Sequence, residues 1–241
     1  MPIPDKGLVY TGSRDPRPAR GGVQERSVQI LLGEADLVGD LAVPEHANGF
    51  VMFAHGSGSS RLSARNRFVA AVLQEAGLAT LLIDLLTVQE DYIDRQTGEF
   101  RFNIGLLAER LMGLTDWHHV HPELAHLPLG YFGASTGSAA ALIAAANRPE
   151  RVRAVVSRGG RPDLAASALP HVQAPTLLIV GGDDAAVIEL NQQAFEMLRC
   201  EKRLEIVPGA THLFEEPGAL EQVAHLAAEW YREHMGRPSQ S

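Results

Sequence analysis

Residues 129–147 read LGYFGASTGSAAALIAAAN, and no other stretch restricts the possible folds as tightly. A short apolar run, 129–132, has the length of a buried strand. It passes through Gly133-Ala134-Ser135-Thr136-Gly137 into an alanine-rich helical segment. A strand that turns straight into a helix forces the middle residue of the turn into strained backbone angles, and side chains two positions away on either side collide. Glycine at 133 and at 137 removes those collisions and leaves the hydroxyl of Ser135 exposed at the end of the strand. Gly-x-Ser-x-Gly by itself describes many tight turns; the strand before it and the helix after it give this one its meaning.

The rest of the chain alternates in the same way. A strand pair is expected at 27–32 and 36–43, joined by Gly33-Glu34-Ala35 and closed by Pro44. Further strands are expected at 49–54, 78–83, 152–157, 176–180 and 203–207. Helices are expected at 64–76 (stopping at Gly77), 104–119, 187–198 and 219–234. Residues 85–103 are polar, charged and weakly periodic, and read as an irregular stretch that could overhang a site. Residues 1–24, rich in Pro, Gly and Arg, read as a flexible N-terminal arm; 25–236 form one domain and 237–241 a disordered tail. Alternation of this kind predicts an α/β fold, a mostly parallel sheet of about eight strands with helices on both faces and an antiparallel hairpin at its start. In such sheets function sits at the carboxyl ends of the strands.

Composition narrows the partners. With 241 residues, 45% of them apolar, the chain can bury one sizeable core. Its 29 acidic against 21 basic residues give a net charge of −8, which argues against nucleic acid or an anionic membrane and leaves a small molecule as the expected partner, with a monomer or homodimer as the assembly. No apolar run reaches the roughly 18–20 residues that span a bilayer, and the N-terminus lacks the apolar core of a secretory signal. A single cysteine, Cys200, in a charged setting, fits a reducing cytoplasm.

Four strand exits carry reactive residue types. A serine hydroxyl needs a base within hydrogen-bond reach, and His212, on the glycine-containing loop after the last strand, can swing over Ser135. The imidazole in turn needs an acceptor to fix its tautomer. Asp183 and Asp184, after Gly181-Gly182, compete for that role; a Gly-x-x-Asp turn points the fourth residue back along the sheet top, so Asp184 is expected and Asp183 becomes a solvated or capping neighbour. Negative charge developing on a carbonyl oxygen calls for backbone N–H donors. Thr136, at the start of the helix, supplies one amide; Ser57, in His55-Gly56-Ser57-Gly58, is the expected second, with Gly58 as the alternative. His55 itself reads as a loop-stabilising residue.

On these motifs, His55-Gly56-Ser57-Gly58, Gly133-Ala134-Ser135-Thr136-Gly137, Gly181-Gly182-Asp183-Asp184 and Gly209-Ala210-Thr211-His212, the chain resembles the α/β-hydrolase superfamily and, within it, small lidless enzymes of the dienelactone-hydrolase type. The resemblance implies Ser135 as nucleophile, His212 as general base and then acid, and Asp184 as its orienting partner. Dienelactone hydrolases proper use cysteine as nucleophile; Ser135 points instead to generic ester, thioester or lactone hydrolysis. The pattern is also similar to hydrolase-like domains found beside phosphoribosyltransferase domains. Residues 158–175, where lidded relatives insert a cap, are too few for a cap domain, so an open site for small acyl substrates is expected. No cofactor is needed. Acyl transfer or perhydrolysis on the same triad, or a non-catalytic binding module, are the competing expectations.

Two further groups stand out. Arg158, leaving its strand beside Gly159-Gly160, could grip a substrate carboxylate or pair with Asp163. His118, His119 and His121 invite a metal reading, but they close a helix where such residues are favourable and lack partners at ligand spacing, so no metal is expected.

Overall fold

In the computed structural model, which describes residues 10–20 and 22–236, three antiparallel strands open the chain: β1 (Tyr10–Arg20), β2 (Val23–Leu32) and β3 (Ala35–Pro44). Six more follow in parallel: β4 (Gly49–Ala54), β5 (Leu78–Ile83), β6 (Leu129–Ala134), β7 (Val152–Arg158), β8 (Thr176–Gly181) and β9 (Lys202–Val207). They lie side by side in the order β1-β2-β3-β5-β4-β6-β7-β8-β9, with β3 meeting β5 antiparallel. The expected sheet of about eight strands is thus present with β1 added at its edge.

β4, β5, β6 and β8 are buried at every position, the signature of strands covered on both faces, and this is why they read as unbroken apolar runs. One face is covered by α1 (Ala64–Glu75) and α6 (Ala219–Met235), which pack Val69, Leu73, Val223 and Trp230 against Phe53, Phe132 and Ile179. The other face carries α3 (Ile104–Val120), α4 (Thr136–Asn147) and α5 (Ala185–Met197), with Leu107, Leu111, Leu142 and Ala194 over Met52, Tyr131 and Leu178. The stretch 158–175, too short for a cap domain, is filled by two 3-10 turns, Pro162–Ala165 and Leu169–His171.

The structure differs from the sequence reading in two places. Within the expected arm, Tyr10–Arg20 is a strand paired to β2 from Tyr10↔Ile30 to Arg20↔Val23, with register shifts along its length. Pro16 and Pro18 hide it from pattern reading, and prolines are tolerated there because β1 is the outermost strand. Residues 1–9 and the expected tail, 237–241, lie outside the described residues. Second, the stretch expected to be irregular contains α2 (Val88–Thr97). Its buried residue is Asp94, with Val88, Tyr92 and Ile93 exposed, so no apolar period marks it. A capping box starts it instead: Glu90 N–H donates to Thr87 Oγ1 (3.2 Å) and Thr87 N–H to Glu90 Oε2 (2.7 Å), and Gly98, at φ 70°, ends it.

Candidate active site

Ser135 sits between β6 and α4 at φ 50°, ψ −121°, a conformation that costs a non-glycine residue about 1–3 kcal/mol and survives where the surroundings over-determine it. They do. Its N–H donates to Arg158 O (3.2 Å), and its carbonyl accepts from Arg161 N–H (3.1 Å), Ser138 N–H (3.1 Å) and Ser138 Oγ (2.7 Å). A β-carbon on Gly133 would stand 2.4 Å from Ser138 Cα, and one on Gly137 would stand 2.2 Å from the carbonyl oxygen of Ala54. The second contact matters for the site: a bare Gly137 lets the N-terminus of α4 touch the end of β4, bringing Thr136 to the loop that begins at His55.

That loop approaches the serine closely. A β-carbon on Gly56 would lie 3.0 Å from Ser135 Cβ. His55 points away from the chemistry: its Nε2 accepts from Leu85 N–H (3.3 Å), so Nδ1 carries the proton and donates to Gly56 O (3.0 Å).

The acid and the histidine meet across β8 and β9. Gly182 N–H donates to Val207 O (2.8 Å) and Asp183 N–H to Ala210 O (3.0 Å), so the two loops are laced together by main chain. Gly181 permits this, since a β-carbon there would stand 2.3 Å from Ala210 O. The lacing leaves Asp183 exposed and turns Asp184 inward, where its Oδ2 lies 2.7 Å from His212 Nδ1. The pair is partly shielded, with side chains 16% and 38% exposed respectively. His212 Cε1, between the two ring nitrogens, comes within 3.5 Å of where a β-carbon on Gly159 would stand, next to the Arg158 carbonyl that holds Ser135. Phe214, buried at φ 56°, and Glu216, which accepts from Thr211 N–H (3.0 Å) and Thr211 Oγ1 (2.6 Å), brace the histidine loop; the hydroxyl's bond, foremost, holds the Glu216 carboxyl below the usual carboxylate range.

The two amides expected to face a carbonyl oxygen differ. Thr136 opens α4, so its N–H has no partner within the helix. Ser57 N–H, by contrast, donates to Thr136 Oγ1 (2.9 Å), a contact no local pattern predicts. Arg158 lies within the fold at 8% exposure: Nη2 reaches Asn66 Oδ1 at 3.5 Å, the guanidinium stands 5.9 Å over the Phe214 ring, and Nε and Nη1 have no hydrogen-bond partner. Burial, with Arg65's charge added, pushes its pKa down to about 10. Asp163, the alternative partner, pairs with Arg161 instead (2.9 and 2.7 Å).

Beside the Ser57 loop opens a cavity of about 530 Å³, walled by Arg61, Asp84, Leu86, Val88 and Arg101. Asp84 takes the Arg61 N–H at 2.6 Å and the Arg61 guanidinium as an ion pair, closing one side. A separate cavity of about 170 Å³, between Asp40, Arg67 and Gln74, touches none of these groups. His118 is buried and stacked on Phe50 (5.0 Å), and burial lowers its pKa to about 4. Among the described residues, Glu201, Glu233 and His234 bring three potential ligand atoms within 4.8 Å, at the opposite end of the sheet from Ser135. No helix of the described residues is long and apolar enough to cross a membrane.

A mostly parallel sheet whose strand ends present a strained serine, a carboxylate-bound imidazole and a helix N-terminus defines an α/β-hydrolase. No family model matches the chain. A dienelactone hydrolase from Anabaena variabilis, solved as a crystal structure, is 63% identical, with a TM-score of 0.88 over 89% of this chain and 99% of that one. The chain belongs to the dienelactone hydrolase family. A Mycobacterium tuberculosis protein (strain H37Rv) that carries a provisional phosphoribosyl transferase name is 56% identical over 219 residues, 91% of this chain. The chain spans about half the length of that curated relative, 48% of it. Est1E from Butyrivibrio proteoclasticus shares the fold at 16% identity, with a TM-score of 0.73 over 86% of this chain and 98% of that one.

Proposed function

We propose that the protein hydrolyses carboxylic esters, thioesters or lactones of small substrates through an acyl-enzyme on Ser135. The observation that carries this reading is the 2.7 Å contact between His212 Nδ1 and Asp184 Oδ2. With Nδ1–H committed to the carboxylate, Nε2 is left as the basic nitrogen, in the tautomer that can take a proton from a serine hydroxyl.

Ser135 Oγ attacks the acyl carbon as its proton passes to His212 Nε2, and the C=O π pair moves onto oxygen. The Thr136 and Ser57 amides receive that charge, the first aided by the N-terminus of α4. Collapse of the tetrahedral adduct breaks the bond to the leaving alcohol or thiol, which takes the proton from His212. Water, deprotonated by the same nitrogen, then releases the acid and restores Ser135. A serine where dienelactone hydrolases proper carry cysteine favours oxygen esters of ordinary reactivity. The Arg158 guanidinium, with no carboxylate partner, supports a preference for substrates bearing a second anionic group.

The longer relative's transferase name describes a protein of which this chain spans 48%, whereas the Anabaena relative is matched over 99% of its own length, and a strand-end serine with a partly shielded His–Asp pair supports acyl chemistry. A fluorophosphonate probe is expected to label Ser135, and p-nitrophenyl acetate to give a burst that Ser135→Ala abolishes. Labelling elsewhere, or unchanged turnover in Ser135→Ala, overturns the reading; products formed with added alcohol or peroxide in preference to water would reassign it to acyl transfer.

A further inference from the structure

We infer that Asp94 and Arg101 are positioning residues for the oxyanion hole, and that they act on it through the hydroxyl of Ser57. The inference rests on the ester-cleaving reading above and concerns α2 and the turn after it, which no motif marks.

Asp94, 3% exposed near the end of α2, gathers the turn that follows it. Its Oδ1 accepts from Phe100 N–H (2.8 Å) and Arg101 N–H (2.8 Å), its Oδ2 from Arg101 Nε (2.7 Å), and its carbonyl from Arg101 Nη2 (2.7 Å). A buried carboxylate with this many donors on one short turn fixes that turn as a unit. What the unit presents outward is the Arg101 carbonyl, which accepts from Ser57 Oγ at 3.2 Å. Arg101 Nη1, left over from the pairing, lies 3.6 Å from where a β-carbon on Gly58 would stand, so the guanidinium also walls the loop from outside.

The direction of the hydrogen bonds follows from what each group can do. A carbonyl only accepts, so the Ser57 hydroxyl proton goes to Arg101 O. Thr136 Oγ1, 2.8 Å from Ser57 Oγ, then donates to it, and its lone pair receives Ser57 N–H at 2.9 Å. One chain of bonds thus runs from the turn after α2 to the amide expected to hold the oxyanion. A substrate carbonyl oxygen arriving beside the Thr136 amide takes over Ser57 N–H from the Thr136 hydroxyl. For that exchange to cost little, the Ser57 peptide must stay in place while the hydroxyl turns away, and the bond to Arg101 O is what keeps it there.

The test compares kcat and KM for p-nitrophenyl acetate in Ser57→Ala, Asp94→Asn and the double variant. Ser57→Ala is expected to lower kcat roughly tenfold with KM within about twofold, and Asp94→Asn to lower kcat about fivefold. The double variant should be no slower than Ser57→Ala alone, because the second change acts through a hydroxyl already gone. Ser57→Thr, which keeps a hydroxyl, should recover most of the rate. Asp94→Asn costing the same factor with and without the Ser57 hydroxyl, or raising KM while leaving kcat alone, overturns the inference. Arg101→Met leaves Asp94 its two amide donors and should give the same pattern at smaller size, which serves if Asp94→Asn does not fold. Fluorophosphonate labelling separates the two readings. A wild type that neither labels at Ser135 nor turns over removes the ester-cleaving proposal and this inference with it. A wild type that labels, with kcat untouched by Asp94→Asn and Arg101→Met, removes this inference alone.

Discussion

Ser135 and Ser57 stand on neighbouring strand-end loops and are held in opposite ways. Ser135 is gripped by main-chain bonds to Arg158 and Arg161 and by glycines whose missing β-carbons let strand ends and helix touch. Ser57 is held through side-chain hydroxyls by partners far along the chain: the Thr136 hydroxyl, 79 residues away, and the Arg101 carbonyl, 44 residues away, which takes the Ser57 hydroxyl from the turn that Asp94 ties. Main-chain lacing between buried strands moves only when the sheet does, whereas each side-chain bond is worth about 1 kcal/mol net and can be exchanged one at a time. The half of the rim that carries Ser135, Asp184 and His212 is therefore set once on folding, and the half around Ser57, which the proposed reaction would use to receive the substrate's oxygen, is adjustable.

Substitutions in each half should break that contrast in order of size. Asp184→Asn, which leaves His212 without its anionic acceptor, should lower kcat roughly 10⁴-fold, while Asp183→Asn, on the exposed neighbour, stays within about threefold in the same ester assay. Equal losses for both would mean the laced loops can re-register and the first half is not rigid. Gly137→Ala drives a methyl into the Ala54 carbonyl and should destabilise the whole domain by about 3 kcal/mol, read as a lowered denaturant midpoint.

His118 sharpens the comparison from below the sheet. Its folded pKa of about 4 lies under the ordinary 6.5, so the folded state resists a proton that the unfolded chain accepts. Stability is complete above about 6.5 and is lost as pH falls toward 4; the loss should reach about 2 kcal/mol by pH 5. His118→Phe, keeping a ring on Phe50, should flatten that slope in urea titrations at pH 7 and pH 5. The smallest effect belongs to the adjustable half: Thr87→Ala, removing the cap of α2, should cost about 1 kcal/mol locally. Amide exchange across 88–103 should quicken with the global melting temperature nearly unchanged.

Sequence alone determined which strands lie in the core, the order in which they carry serine, acid and histidine, and where glycine had to stand beside Ser135, because apolar runs and steric bars to a side chain are local properties. Which aspartate turns toward His212, Asp184 and not Asp183, also agrees with the turn that precedes it. The partner of the Ser57 amide, the burial of Arg158 without an acid, the pairing of β1 and the tie between α2 and the oxyanion loop were decided only in three dimensions. Each depends on side chains or strands brought together by packing, as with Arg158 and Asn66 at 92 residues' separation, and a contact of that kind leaves no period in either of the segments that make it.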